Sequence, residues 1–205
     1  MSVWLLTGLP VFSAGVAVLE ADAMLVGQWL VSRPLVVGPL VGWCAGDPVL
    51  GAALGALTEL FCLEELPVGS ILPPSGAVAA GASVLLAAGP SGIPPALALL
   101  AGLAAGAGHA WLEARVRSWR AVLTSRALED VVTDRAVPWR RLWLRSVGVH
   151  VGGTALLVYA VVALGGAALD RALVFFPAGF GDGLDRAWRL APYLALGSLV
   201  QRLWR

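Results

Sequence analysis

Residues 34–63 read PLVVGPLVGWCAGDPVLGAALGALTELFCL, and this stretch decides the fold class. It holds two apolar segments, Pro34 to Cys44 and Val49 to Leu63, of about 11 and 15 residues, on either side of Gly46-Asp47-Pro48. At ~1.5 Å per residue, neither segment crosses a hydrocarbon core of ~30 Å as a straight helix. Pro48 lacks an N–H and disfavours helical geometry at Asp47, so the helix breaks there. Two arrangements fit: a pair of short helices of the kind that line transport sites at membrane depth, which is favoured, or one long kinked span.

The flanking sequence has the same character. Residues 34–112 are almost continuously apolar, punctuated by Glu64-Glu65-Leu66-Pro67, by Pro73-Pro74-Ser75-Gly76 and by Gly89 to Pro95. Residues 3–32 are apolar except at Pro10, Glu20, Asp22 and Gln28. No basic residue precedes that first block and acids follow it, as expected of a first membrane segment rather than a cleaved signal. Residues 113–145 are polar and basic, and residues 146–204 are apolar again, with spans expected near 148–168 and 187–204. Over all 205 residues, 59% are hydrophobic and 13% charged, about half the charge a soluble domain carries. That composition excludes a water-soluble domain and a disordered chain alike. A net charge of +1 leaves no electrostatic footprint for nucleic acid. The expectation is an all-α, polytopic membrane protein with short broken or membrane-dipping helices, divided into 1–112, a basic loop 113–145, and 146–205.

Charge sets the orientation. Every basic residue is Arg, and eight of the 14 lie between Arg115 and Arg145, against Glu129, Asp130 and Asp134. A short loop with this excess is expected on the cytoplasmic side of the membrane. Trp111, Trp119, Trp139 and Trp143 flank or punctuate it, as interfacial aromatics do. Gly38, Gly42 and Gly46, Gly51 and Gly55, and Gly102 and Gly106 recur at intervals of four, a spacing that lets helix backbones approach closely.

Glu59 is the most informative single residue, a carboxylate in the otherwise uncharged run Leu50 to Phe61. Such a group is costly in a membrane, so it faces a polar cavity, a partner or a ligand, or else pairs structurally, for example with Arg33. As an acceptor it suits the hydroxyl donors of a polyol. Asp47, before Pro48, fits a turn device. Cys44 and Cys62 lie in apolar blocks and are expected to be buried packing residues rather than a disulfide or metal pair. His109 and His150 stand isolated, outside any metal-spacing motif, and are expected to be structural or interfacial. Glu64-Glu65 and Asp182/Asp185 are expected to be solvated charges. No P-loop, GxSxG or HExxH occurs, so no catalytic residue, metal or cofactor is expected.

From Ser32 to Ser75 the chain resembles the IIC membrane component of the mannose/fructose/sorbose-type sugar phosphotransferase system. The residues carrying the resemblance are Ser32-Arg33-Pro34-Leu35-Val36, Gly38-Pro39-Leu40-Val41-Gly42, Gly46-Asp47, Gly51, Gly55, Thr58-Glu59-Leu60 and Pro73-Pro74. More weakly, Gly181 to Leu184 and Pro192 to Leu199 are similar to the family's second half. The chain departs from the family at Glu64, where Gly is usual, and at Ser75, where Asp or Asn is usual. Its C-terminal region is also shorter than the family's.

The resemblance implies a subunit of the bacterial inner membrane that forms part of a sugar translocation path and is not itself phosphorylated. It implies an oligomeric complex with a IID-type membrane subunit, with cytoplasmic IIA and IIB proteins relaying phosphate to a hexose or amino sugar, embedded in membrane lipid. It places Glu59, Gly69, Pro73, Pro74 and Ser75 nearest the sugar. Arg33, Pro34, Gly46, Asp47, Gly51 and Gly55 become scaffold. The alternative is a non-transporting scaffold or sensor that docks soluble phosphotransferase proteins through the Arg115–Arg145 loop.

Overall fold

The computed structural model describes residues 3–23, 25, 27–62, 72–177 and 179–204, and among them it is built of helices with no strand. A π-helical turn, Trp4–Gly8, runs directly into α1 (Leu9–Ala21). Pro10, which cannot donate to the preceding turn, sits in the first α-helical positions after that wider turn. Three short helices follow: α2 (Pro34–Ala45), α3 (Pro48–Cys62) and α4 (Gly76–Ala88). At 12, 15 and 13 residues they extend about 18, 22 and 20 Å, each short of a ~30 Å hydrocarbon core. The broken arrangement is therefore the one adopted.

The breaks fall on the residues that demand them. Gly46 ends α2 at φ 96°, a conformation costly for any side chain, and the Asp47 carboxylate caps α3 by accepting the Leu50 N–H at 2.9 Å. Ser75 caps α4 by accepting from Val78 N at 3.3 Å. Pro94 and Pro95 open α5 (Pro95–Val132), whose 38 residues extend about 57 Å, nearly twice the hydrocarbon thickness. The helix α6 (Trp139–Ala160) continues through a π-helical segment, Val161–Gly165, into α7 (Gly166–Leu173), and α8 (Gly179–Leu203) closes the chain. Three described stretches are long and apolar enough to cross a membrane: Trp4–Ala21, Pro95–Val132 and Trp139–Leu173. The expected span near 187–204 lies in α8, which falls short of that measure because its apolar residues are interrupted by Arg189, Gln201 and Arg202.

The polar region 113–145 is helical through most of its length rather than a loop. Between Glu113 and Val132 there is no Gly or Pro to stop α5, and Arg, Ala, Leu and Glu are sound helix formers. Only residues 133–138 form the turn, ahead of Trp139.

Glycines weld the short helices together. A Cβ on Gly42 would lie 2.6 Å from the Asp47 carbonyl oxygen and 2.8 Å from Gly51 Cα, and one on Gly55 would lie 3.1 Å from Gly38 Cα. The backbones of α2 and α3 thus touch through paired glycines. In the same way Gly106 of α5 faces Ser75 and Ala79, and Gly81 of α4 faces Val16 of α1. Every residue from Ala77 to Leu86 is buried, so α4 is the axis on which α1, α2, α3 and α5 pack. Large apolar side chains on the outer faces of the spans remain exposed, including Val11, Val18, Leu100 and Leu156, as a lipid-facing surface requires.

Candidate functional site

The α2–α3 hairpin, the start of α4, the end of α1 and the middle of α5 border a cavity of about 440 Å³. It is lined by Arg33, Pro34, Glu59, Pro73, Pro74 and Ser75, residues that the sequence singles out from three separate elements. Packing explains their convergence. Gly76 has no side chain, so Pro34 Cγ lies only 2.6 Å from where its Cβ would be, which holds the start of α4 against the start of α2. The Ser75 N–H donates to the Gly106 carbonyl at 3.0 Å, anchoring the same corner to α5.

Within the cavity Glu59 is engaged at both oxygens. Arg33 Nη1 donates to Oε1 at 3.0 Å, and the Leu35 N–H donates to Oε2 at 3.3 Å. The carboxylate therefore pairs with Arg33, caps the N-terminus of α2 and faces the cavity at once, uniting the two readings of this residue. The guanidinium is half exposed and lines the cavity, with N–H groups beyond the one given to Glu59. The Ser75 hydroxyl accepts from Val78 and keeps a proton it can donate. Asp22 is committed elsewhere: its two oxygens accept the N–H groups of Trp29 and Val31 at 2.8 and 3.0 Å, folding the segment after α1 over the cavity.

Gly46, Asp47, Gly51 and Gly55 lie outside the cavity lining, at the α2–α3 contact and turn. Gly69 lies outside the described residues, as do Glu64 and Glu65. Cys62 lines the cavity, whereas Cys44 is exposed on α2 rather than buried, because the glycine face of that helix is the one that packs. Asp182 and Asp185 stand on the first turns of α8, both exposed.

The histidines are not isolated. Glu20, His109, Glu113, His150 and Thr154 form a buried cluster, each 3% exposed or less. His150 Nδ1 lies 3.0 Å from Glu113 Oε2, and its Nε2 lies 2.5 Å from Glu20 Oε2. His109 Nε2 lies 3.0 Å from Thr154 Oγ1 and 3.7 Å from Glu20 Oε1. Arg117 and Arg120 both donate to Glu113 Oε1. Glu20, His109 and Glu113 also border the cavity. Spacing in sequence conceals this cluster, since its members come from α1, α5 and α6. One signal was present: His109 and Glu113 are four apart and share a face of α5.

Comparison with known proteins agrees with the architecture. The family described as "PTS system sorbose-specific IIC component" matches residues 4–205. Four solved chains match the fold, among them one described as the structure of a membrane protein. That chain superposes with a TM-score of 0.75 at 20% identity, over 97% of this chain and 80% of the other, which shows a shared fold. No curated protein matches the sequence.

Proposed function

Because the chain belongs to the sorbose-specific IIC family of the phosphotransferase system, and is thus a membrane subunit of a sugar transporter, we propose that its Glu59 cavity is the sugar's station on the translocation path. The observation that carries this reading is the convergence of Arg33, Glu59, Pro73, Pro74 and Ser75 on one cavity, whose ~440 Å³ is within the usual range for small-molecule sites. Sugar hydroxyls are both donors and acceptors. The Glu59 carboxylate accepts from them, while the remaining N–H groups of Arg33 and the Ser75 proton donate to their oxygens. Pro73 and Pro74 supply a rigid apolar wall that orients the ring without competing for hydrogen bonds.

In this account the glycine-welded α2–α3 hairpin moves as one body against α1 and α5, exposing the cavity alternately to the two faces of the membrane. The arginine-rich helical hairpin 113–145 lies on the cytoplasmic side of a bacterial inner membrane, supported by its charge excess. There a IIB-type protein, recharged by a IIA-type protein, phosphorylates the emerging sugar, and a IID-type membrane subunit completes the path. The exposed apolar faces of the spans are available to that partner or to lipid.

Uptake of labelled mannose, fructose or N-acetylhexosamine by cells expressing the chain with its IID-type partner tests this. Glu59→Gln lowers uptake at least about tenfold, the loss of ~1.4 kcal/mol of binding or more, with membrane insertion unchanged. Uptake at the unsubstituted rate would remove Glu59 from the path.

A further inference from the structure

We propose that Glu20, His109 and His150 form a binding site for a divalent metal ion of the zinc class, next to the cavity and independent of any sugar bound there. One carboxylate oxygen and one nitrogen from each imidazole lie within 4.8 Å of one another, on three different helices, all buried. Of the pairwise separations, 2.5 Å from Glu20 to His150 and 3.7 Å from Glu20 to His109 straddle the ~3.3 Å that separates donors around a tetrahedral ion with ligands at ~2.0–2.1 Å. Bringing all three onto one centre requires the Glu20–His150 pair to open by about 0.8 Å and the Glu20–His109 pair to close by about 0.4 Å.

The His150 imidazole stands between two buried carboxylates, Glu113 and Glu20. His150 Nδ1 faces Glu113, whose charge is already met by Arg117 and Arg120, so Nδ1 carries the proton and donates it. The other nitrogen, Nε2, faces the Glu20 carboxylate at 2.5 Å, so either a proton or a metal ion lies between them. His109 Nε2 lies 3.7 Å from the same carboxylate and 3.0 Å from the Thr154 hydroxyl, which gives up that nitrogen when the ion enters. Among the described residues Glu20 pairs with no guanidinium; its ion-pair partners are the two imidazoles. A proton joins two such donors, whereas a metal ion satisfies all three and neutralises a buried carboxylate that is otherwise expensive.

The surroundings are those of a metal centre. The Glu113–His150 pair is the carboxylate–histidine arrangement that fixes the tautomer of a metal-bound imidazole, and the two arginines fix Glu113 in turn. Two nitrogens and one oxygen suit zinc-class ions over calcium or magnesium, which take oxygen. Glu20 and His109 border the cavity, which gives the ion an entry route and leaves a fourth coordination position open to water.

The test is unusually clean, because these are the two histidines of the whole chain. The full chain, purified in detergent with a histidine-free tag, is stripped of metal and titrated with Zn2+ and with Co2+. One equivalent binds, Co2+ produces the intense visible absorption of a four-coordinate site, and Zn2+ shifts the 15N resonances of both histidines. His109→Ala and Glu20→Gln abolish the Co2+ spectrum, and Glu113→Gln weakens binding by about 10–100-fold. Absence of saturable binding to the unsubstituted chain would overturn the site. So would His150 nitrogens that report an imidazolium unaltered by Zn2+, or equal binding by His109→Ala. The resonance measurement uses the unsubstituted protein, so it decides the matter even if a variant does not fold.

Discussion

Arg33 Nη1 lies 3.0 Å from Glu59 Oε1 while the second oxygen of that carboxylate accepts the Leu35 N–H, so one side chain of α3 both pairs with and caps the start of α2. The two functions separate by substitution. Glu59→Gln keeps an oxygen for the Leu35 N–H and loses only the charge, so thermal unfolding in detergent shifts little. Glu59→Ala leaves the helix end uncapped and costs about 0.5–2 kcal/mol. Arg33→Ala costs about 0–1 kcal/mol, because the guanidinium is half exposed and its pairing is screened. If Glu59→Gln were as unstable as Glu59→Ala, capping would not be the structural part of its role.

The glycine contact between α2 and α3 gives a paired prediction. Gly42→Ala forces a methyl to within 2.6 Å of the Asp47 carbonyl oxygen and 2.8 Å of Gly51 Cα, backbone atoms with no freedom to yield. The hairpin must splay, at a cost of about 1–3 kcal/mol. Gly148→Ala, in α6 with nothing within 4 Å of the new methyl, stabilises by about 0.5–1 kcal/mol through helix propensity. Thermal melts of the two variants in the same detergent should move in opposite directions.

Glu113 holds together three cationic or protonated partners, His150, Arg117 and Arg120. Removing it by Glu113→Ala takes the buried acceptor away from His150 Nδ1 and from the Arg120 guanidinium, which costs about 3–5 kcal/mol. The expected result is a large drop in melting temperature, with Glu113→Gln in between. A Glu113→Ala protein as stable as the parent would mean that the arginines find other acceptors.

Orientation is checked with cysteine chemistry. In a background of Cys44→Ser and Cys62→Ala, Arg135→Cys places one thiol in the exposed turn between α5 and α6. A membrane-impermeant maleimide labels it in inside-out vesicles and not in intact cells. Labelling of intact cells would invert the topology.

The ends of the short helices are legible in the sequence because Pro and Gly act through their own backbones: Gly46-Asp47-Pro48, Pro73-Pro74-Ser75 and Pro94-Pro95 each mark a boundary in the structure. The glycine quartets are legible as close-packing faces, although which faces meet is decided by the turn at Gly46. Glu59 stands out because it is charged where nothing else is. The cluster of Glu20, His109, Glu113 and His150 is hidden for the opposite reason: each member sits near a polar boundary where a charge draws no notice. Helix packing alone brings residues 130 positions apart to 2.5 Å. The helicity of 113–132 is likewise masked, because arginine-rich polarity resembles a loop while its propensities favour a helix.

The most direct measurement is sugar binding by the assembled membrane complex. The chain, co-expressed with a IID-type partner and purified with whatever accompanies it, is titrated with mannose, fructose and N-acetylated hexosamines. The account predicts saturable binding of one of these sugars, lost in Glu59→Gln while the complex stays assembled. Binding that survives Glu59→Gln unchanged, or a stable complex that binds none of them, would contradict it.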